Sequence, residues 1–125
     1  MNRRIVRTSA APMAPGFLGG NHQAAMRVSP DDFAKNDPFF VLMDDNLQEG
    51  EDFAPMGEPH PHAGFETVTL LLEGEIRDRH EGGVLKAGDL QWMTAGRGVI
   101  HSEDIDPRGK EAATFESWLV ARGHG

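Results

Sequence analysis

From Phe65 onward the chain is cut by glycine into runs the length of single β-strands. Phe65–Leu72 (FETVTLLL) stops at Glu73-Gly74, and Glu75–His80 (EIRDRH) stops at Glu81-Gly82-Gly83. Val84–Lys86 stops at Ala87-Gly88-Asp89, Leu90–Met93 (LQWM) at Thr94-Ala95-Gly96-Arg97-Gly98, and Val99–Glu103 follows. The runs are too short for independent helices, and their apolar and β-branched residues favour strands. Turn signals at roughly eight-to-twelve-residue spacing specify a small antiparallel sandwich or barrel. The glycines of the Gly96-Arg97-Gly98 turn read as turn chemistry, where positive φ is cheap, because no helix follows to make a phosphate cradle.

The N-terminal half fits the same plan. A first strand is expected at Arg4–Thr8, a loop over residues 9–24 and a short strand at Ala25–Val28. Ser29-Pro30-Asp31-Asp32 has the cap, the proline and the early acids of a helix start, so residues 29–36 should hold one helical turn. Phe39–Met43 (FFVLM), bounded by Asp-Pro and Asp-Asp, reads as a buried strand. Residues 44–59 and 104–113 read as polar loops, and Thr114–Ala121 (TFESWLVA) as the last strand. At 125 residues this is one domain, long enough to bury roughly two-thirds of its unfolded surface.

Charge narrows the partners. Twelve Lys+Arg against 20 Asp+Glu give a net charge of −8, which repels phosphate backbones and anionic membrane surfaces. Direct nucleic-acid and membrane binding are therefore not expected. There is no cysteine, so any metal must be held by nitrogen and oxygen. No apolar run approaches the ~18 residues of a membrane span. The basic N-terminus lacks a compact apolar core, and a soluble cytoplasmic protein is expected.

Two short motifs carry chemistry: His60-Pro61-His62 and His101-Ser102-Glu103. Residues two apart on a strand share a face. Two neighbouring strands would then aim His60, His62, His101 and Glu103 at one point, a donor set suited to a divalent transition metal. With six histidines in 125 residues, a second His at i+2 is a roughly one-in-twenty event. One such pair means little; a second ligand-type pair in the same parity means more. Glu66 shares the parity of His60 and His62. His80 beside Glu81, His22 in a Gly/Asn-rich loop and His124 near the end of the sequence read as surface residues. Arg97 reads as a loop salt bridge.

HPHAGFETVTLLLEGEI at 60–76 and AGDLQWMTAGRGVIHSE at 87–103 resemble the N-terminal domain of the pirin family, within the cupin superfamily; DPFFVLMDD at 37–45 resembles the family's upstream strand. The likeness is strongest over 37–103. It implies an all-β, single-domain cupin spanning 1–125, a small antiparallel β-barrel or jelly roll, with the second cupin domain of the family absent. It also implies His60, His62, His101 and Glu103 as metal ligands, with Fe(II) the usual occupant and Ni, Cu, Mn or Zn as alternatives. The general cupin pattern draws its acid from the position of Glu66, so Glu66 is the alternative ligand or an outer partner.

An octahedral metal held by four side chains keeps positions open for dioxygen and a chelating substrate. The resemblance implies quercetin 2,3-dioxygenase-like chemistry on a flavonol or related small aromatic, with Glu103 as the base that takes the substrate's hydroxyl proton. Trp92 and Met93 either line the pocket or belong to the core. The alternative is a non-catalytic iron-binding regulator acting through protein partners. A lone barrel exposes the surface that a second barrel would cover, so a homodimer is expected.

Overall fold

The computed structural model describes residues 4–5, 7–16, 22–47, 59–78, 83–105 and 113–121; for 78, 103–105 and 113–117 it describes the backbone alone. The described part is mostly strand, with one short helix. β1 (Ala14–Pro15), β2 (His22–Val28), β3 (Phe39–Leu47), β5 (Phe65–Glu73), β8 (Leu90–Thr94) and β11 (Ala113–Ala121) form a six-stranded sheet in the order β1-β2-β3-β11-β5-β8. β10 (Glu103–Ile105), β6 (Glu75–Asp78) and β7 (Gly83–Lys86) make a three-stranded sheet, and β4 (His60–His62) pairs with β9 (Val99–His101). Every pairing is antiparallel. Among the described residues no helix is long and apolar enough to cross a membrane.

Strand alternation sorts the large sheet into two faces. One row of backbone partners runs Ala24, Asp45, Phe115, Leu71. Leu71 is fully buried, with Ala24 and Leu47 buried on the same side. Ile76 of β6 and Leu85 of β7 add to the buried interior. On the other face another row runs Val28, Leu42, Trp118, Val68, Trp92. None of its side chains is buried, and Trp92 is 63% exposed. The sheet thus turns an apolar stripe outward.

The helical turn falls where expected, as a 3-10 turn at Pro30–Asp32 followed by α1 (Phe33–Asn36), with the Ser29 hydroxyl accepting from the Asp31 amide. Both glycines of the Gly96-Arg97-Gly98 turn have positive φ (53° and 144°), so the turn reading holds.

Other boundaries differ. Arg4, Ile5, Arg7 and Thr8 carry no strand, and Ile5 is 83% exposed. The expected 9–24 loop contains β1 and the first residues of β2. β3 runs through Asp44 and Asp45 to Leu47, into the expected 44–59 loop, because both acids have partners: Arg27 for Asp44 and His22 for Asp45. Asp104 and Ile105 belong to β10 and Ala113 to β11 rather than to a loop. The expected strand Val99–Glu103 is interrupted at Ser102. Residues 48–58, 106–112, His80 and His124 lie outside the described residues.

Candidate metal centre

The ribbon of β4 and β9 places His60 opposite His101, Pro61 opposite Ile100 and His62 opposite Val99. Opposed residues of an antiparallel pair share a face, as do residues two apart. Register alone therefore sets three imidazoles on one side, with Pro61 and Ile100, 65% exposed, on the other. Two corners hold the ribbon to the large sheet: the Gly64 amide donates to the Gly96 carbonyl at 2.9 Å, and the Ala95 amide to the Phe65 carbonyl at 3.3 Å. Gly64 has φ 81°, a conformation costly for any residue with a Cβ. Tying these corners together delivers His62 to His101 across 39 residues of sequence.

One ring nitrogen from each of His60, His62 and His101 lies within 4.8 Å of the others. The ring centroids are 4.4 Å apart for His60–His101, and 4.8 Å for His60–His62 and His62–His101. The Nε2 atoms of His62 and His101 are 2.9 Å apart. Burial first, then the neighbouring His101 and His60, hold the His62 pKa down to about 4. The charged imidazolium form of His62 is thus disfavoured, and the ring stays neutral. Those residues fit a divalent cation. Two nitrogens each about 2.1 Å from one ion at right angles stand about 3 Å apart, close to the His62–His101 spacing.

The fourth expected donor enters differently. At Ser102 the chain leaves β4 as a partner, and Glu103 opens β10 opposite Asp78 of β6. The Glu103 side chain lies outside the described residues, so its place rests on sequence spacing. Glu66 is not brought to the cluster. Its carboxylate accepts from Trp92 Nε1 at 2.8 Å and from Thr94 Oγ1 at 3.4 Å, on the outward face of the large sheet.

Trp92 and Met93 alternate, so they cannot line one wall together. Trp92 points outward and belongs neither to the core nor to the barrel interior; Met93, half-buried, shares the inward face with its partner Thr67. Arg97 is exposed and makes no ion pair among the described residues.

His22 corrects another expectation. It opens β2, is 1% exposed, and its Nε2 lies 2.8 Å from Asp45 Oδ1, itself 2% exposed. The Gly/Asn-rich context suggested a solvated loop. In fact a Cβ at Gly16 would overlap the imidazole of His22, so the glycine makes room for the ring. A second unforeseen neighbour is Phe65, whose ring stands edge-on to His62 with centroids 5.2 Å apart; the His62-x-x-Phe65 spacing across a glycine turn was the available signal.

An all-β fold with histidines converging from two paired strands is the architecture of a cupin domain, and a solved Schizosaccharomyces pombe cupin domain shares the fold at a TM-score of 0.63. The chain matches the pirin family over residues 20–119 and belongs to it. A Pseudomonas aeruginosa relative, named as a candidate quercetin 2,3-dioxygenase, is 43% identical over 94 residues, which cover 73% of this chain and 32% of the relative. The structure of a quercetin 2,3-dioxygenase from Acinetobacter baumannii is 32% identical with a TM-score of 0.71, covering 88% of this chain and 41% of that one. A bacterial pirin from Escherichia coli, solved in complex with nickel(II), shares the fold at 24% identity and a TM-score of 0.70, over 92% of this chain and 50% of that one. The chain spans about a quarter to a third of the length of the curated relatives it matches.

Proposed function

We propose that the protein binds one divalent transition metal, Fe(II) first among the candidates, and acts as a dioxygenase on quercetin-like flavonols or related small aromatics. The observation that carries this reading is the convergence of three imidazole nitrogens within 4.8 Å. Likeness to a quercetin 2,3-dioxygenase structure at 32% identity supports the substrate class. His60, His62 and His101 would hold the ion, with Glu103 as the fourth ligand. A metal held there would supply Lewis acidity toward a chelating hydroxyl. Glu103 takes the hydroxyl proton as the substrate seats. Phe65, whose ring stands against His62, would give a flat ring apolar contact.

The second reading is a metal-bound regulator that acts through protein partners. The outward stripe of half-buried Leu42, Trp118 and Val68 with exposed Trp92 favours it, since apolar side chains turned outward together mark an interaction site. The same stripe is where a second copy would pack in a homodimer, and light scattering that reports a monomer would overturn that pairing.

Elemental analysis of the purified chain, followed by a flavonol panel under air, tests the main reading. About one metal per chain and dioxygen uptake with quercetin are expected. Glu103→Gln should weaken metal binding and depress turnover, while Glu66→Gln should leave metal content unchanged. Metal-replete protein that leaves every flavonol intact would move the function to the regulatory reading.

A further inference from the structure

A run of aromatic rings connects the surface helix α1 to the candidate metal centre. Phe33 of α1 meets Phe40 of β3 with ring centroids 6.5 Å apart and planes at 76°. Phe40 meets Phe65 of β5 at 5.4 Å and 84°, and Phe65 meets His62 at 5.2 Å and 89°. All three junctions are edge-to-face, an arrangement favoured by the ring quadrupole and more directional than aliphatic packing. The outer end is anchored by backbone: the Asp37 amide donates to the Phe33 carbonyl at 2.9 Å, and the Ala121 amide to the Pro38 carbonyl at 2.8 Å.

His62 needs such support. A metal-ligating imidazole is usually oriented through its other ring nitrogen, by a carboxylate or carbonyl. Among the described residues the hydrogen bonding of His62 is confined to Nε2, facing His101. Its ring contacts are His60, His101 and Phe65. Two of those are themselves candidate ligands, which must adjust as an ion seats. Phe65 alone belongs to the large sheet, through its pairing with Ala121.

We propose that Phe65 is a positioning residue for His62, buttressed by Phe40 and Phe33, so that the seating of α1 is coupled to metal affinity. This rests on the metal-binding reading above, and the experiment separates the two. The 125-residue chain, freed of metal, is titrated with cobalt(II), reading affinity and the visible ligand-field band together. Phe65→Leu should weaken cobalt binding about tenfold or more, as loss of an orienting partner does, and shift the band. Phe65→Tyr keeps the ring and should restore both. Phe33→Ala, at the exposed end of the run, should weaken binding by a factor of about two to three, a fraction of the loss at the inner ring.

Wild-type affinity and an unshifted band in Phe65→Leu would overturn the assignment while leaving the metal site standing. A wild-type chain that takes up no cobalt would overturn the metal site, and the positioning role with it. Should Phe65→Leu fail to fold, as judged by circular dichroism of the metal-free form, Phe40→Leu and Phe33→Ala decide. Unchanged affinity and band in both would overturn the coupling; graded losses would support it.

Discussion

His22 and His62 both occupy strands of this barrel, yet their surroundings are opposite. His22 is sealed: 1% exposed, bonded to a buried carboxylate, with Gly16 hollowed out beside it. His62 is half-exposed and faces two other imidazoles, with no carboxylate among its contacts in the described residues. They are also far apart. Asp45 lies in the row of Leu71, whereas His62 touches Phe65, six residues back along β5 and so about 20 Å away. A buried polar group that has its partner is finished structure; three imidazole nitrogens converging on one point are a group that could hold a metal ion.

The largest effect expected from this contrast is on metal content. His62→Ala or His101→Ala should lose the ion, whereas His22→Ala should keep it, measured by elemental analysis after dialysis. Metal lost from His22→Ala and kept in His62→Ala would reverse the roles of the two centres.

Stability should divide the other way. His22→Ala leaves Asp45 buried without its partner, and urea unfolding should show a loss of about 3 kcal/mol. Metal-free His62→Ala should change by less than about 1 kcal/mol, since no buried charge is orphaned. Gly16→Ala should destabilise by about 1–3 kcal/mol through overpacking. That penalty should largely vanish in the His22→Ala background, because the clash is with the imidazole. An additive double mutant would show that Gly16 is needed for another reason.

A smaller effect is the response to pH. The His62 pKa is about 4 in the folded chain, against an ordinary histidine value of 6.5. Between these the unfolded chain binds more protons, so stability rises with pH. Metal-free protein should therefore be fully stabilised by this group above about pH 6.5, lose that contribution as pH falls toward 4, and gain nothing further below. His62→Ala should flatten this part of the curve, and an unaltered profile would assign the response to other groups.

The candidate centre could be read from sequence because it is local twice over. His60 and His62 share a face by parity, and the glycine turns between them and His101 count off strands that must fold back. The His22–Asp45 pair was hidden by context, since Gly and Asn around His22 suggested solvent and Asp44-Asp45 suggested a strand end. Parity did hold a clue: Asp45 is in phase with Val41, Met43 and Leu47, so an acid on the inward face implied a buried partner. Which residue that was depended on the register of β2 against β3, fixed by contacts 23 residues apart. Sequence spacing also treated His101 and Glu103 as one strand, whereas the chain changes neighbours at Ser102, a step that alternation cannot reveal.

That change of neighbours bears on motion. The β4–β9 ribbon has three residue pairs, one of them a proline that offers no amide, so few backbone hydrogen bonds keep it shut. Local opening there should be among the least costly excursions of the barrel. An ion gripped by imidazoles from both strands would convert the chain between His60 and His101 into a closed ring, removing most of the entropy gained by opening. Amide exchange in the ribbon should therefore slow on metal loading far more than exchange around His22, and the ion would serve as a latch on breathing as well as a centre for chemistry.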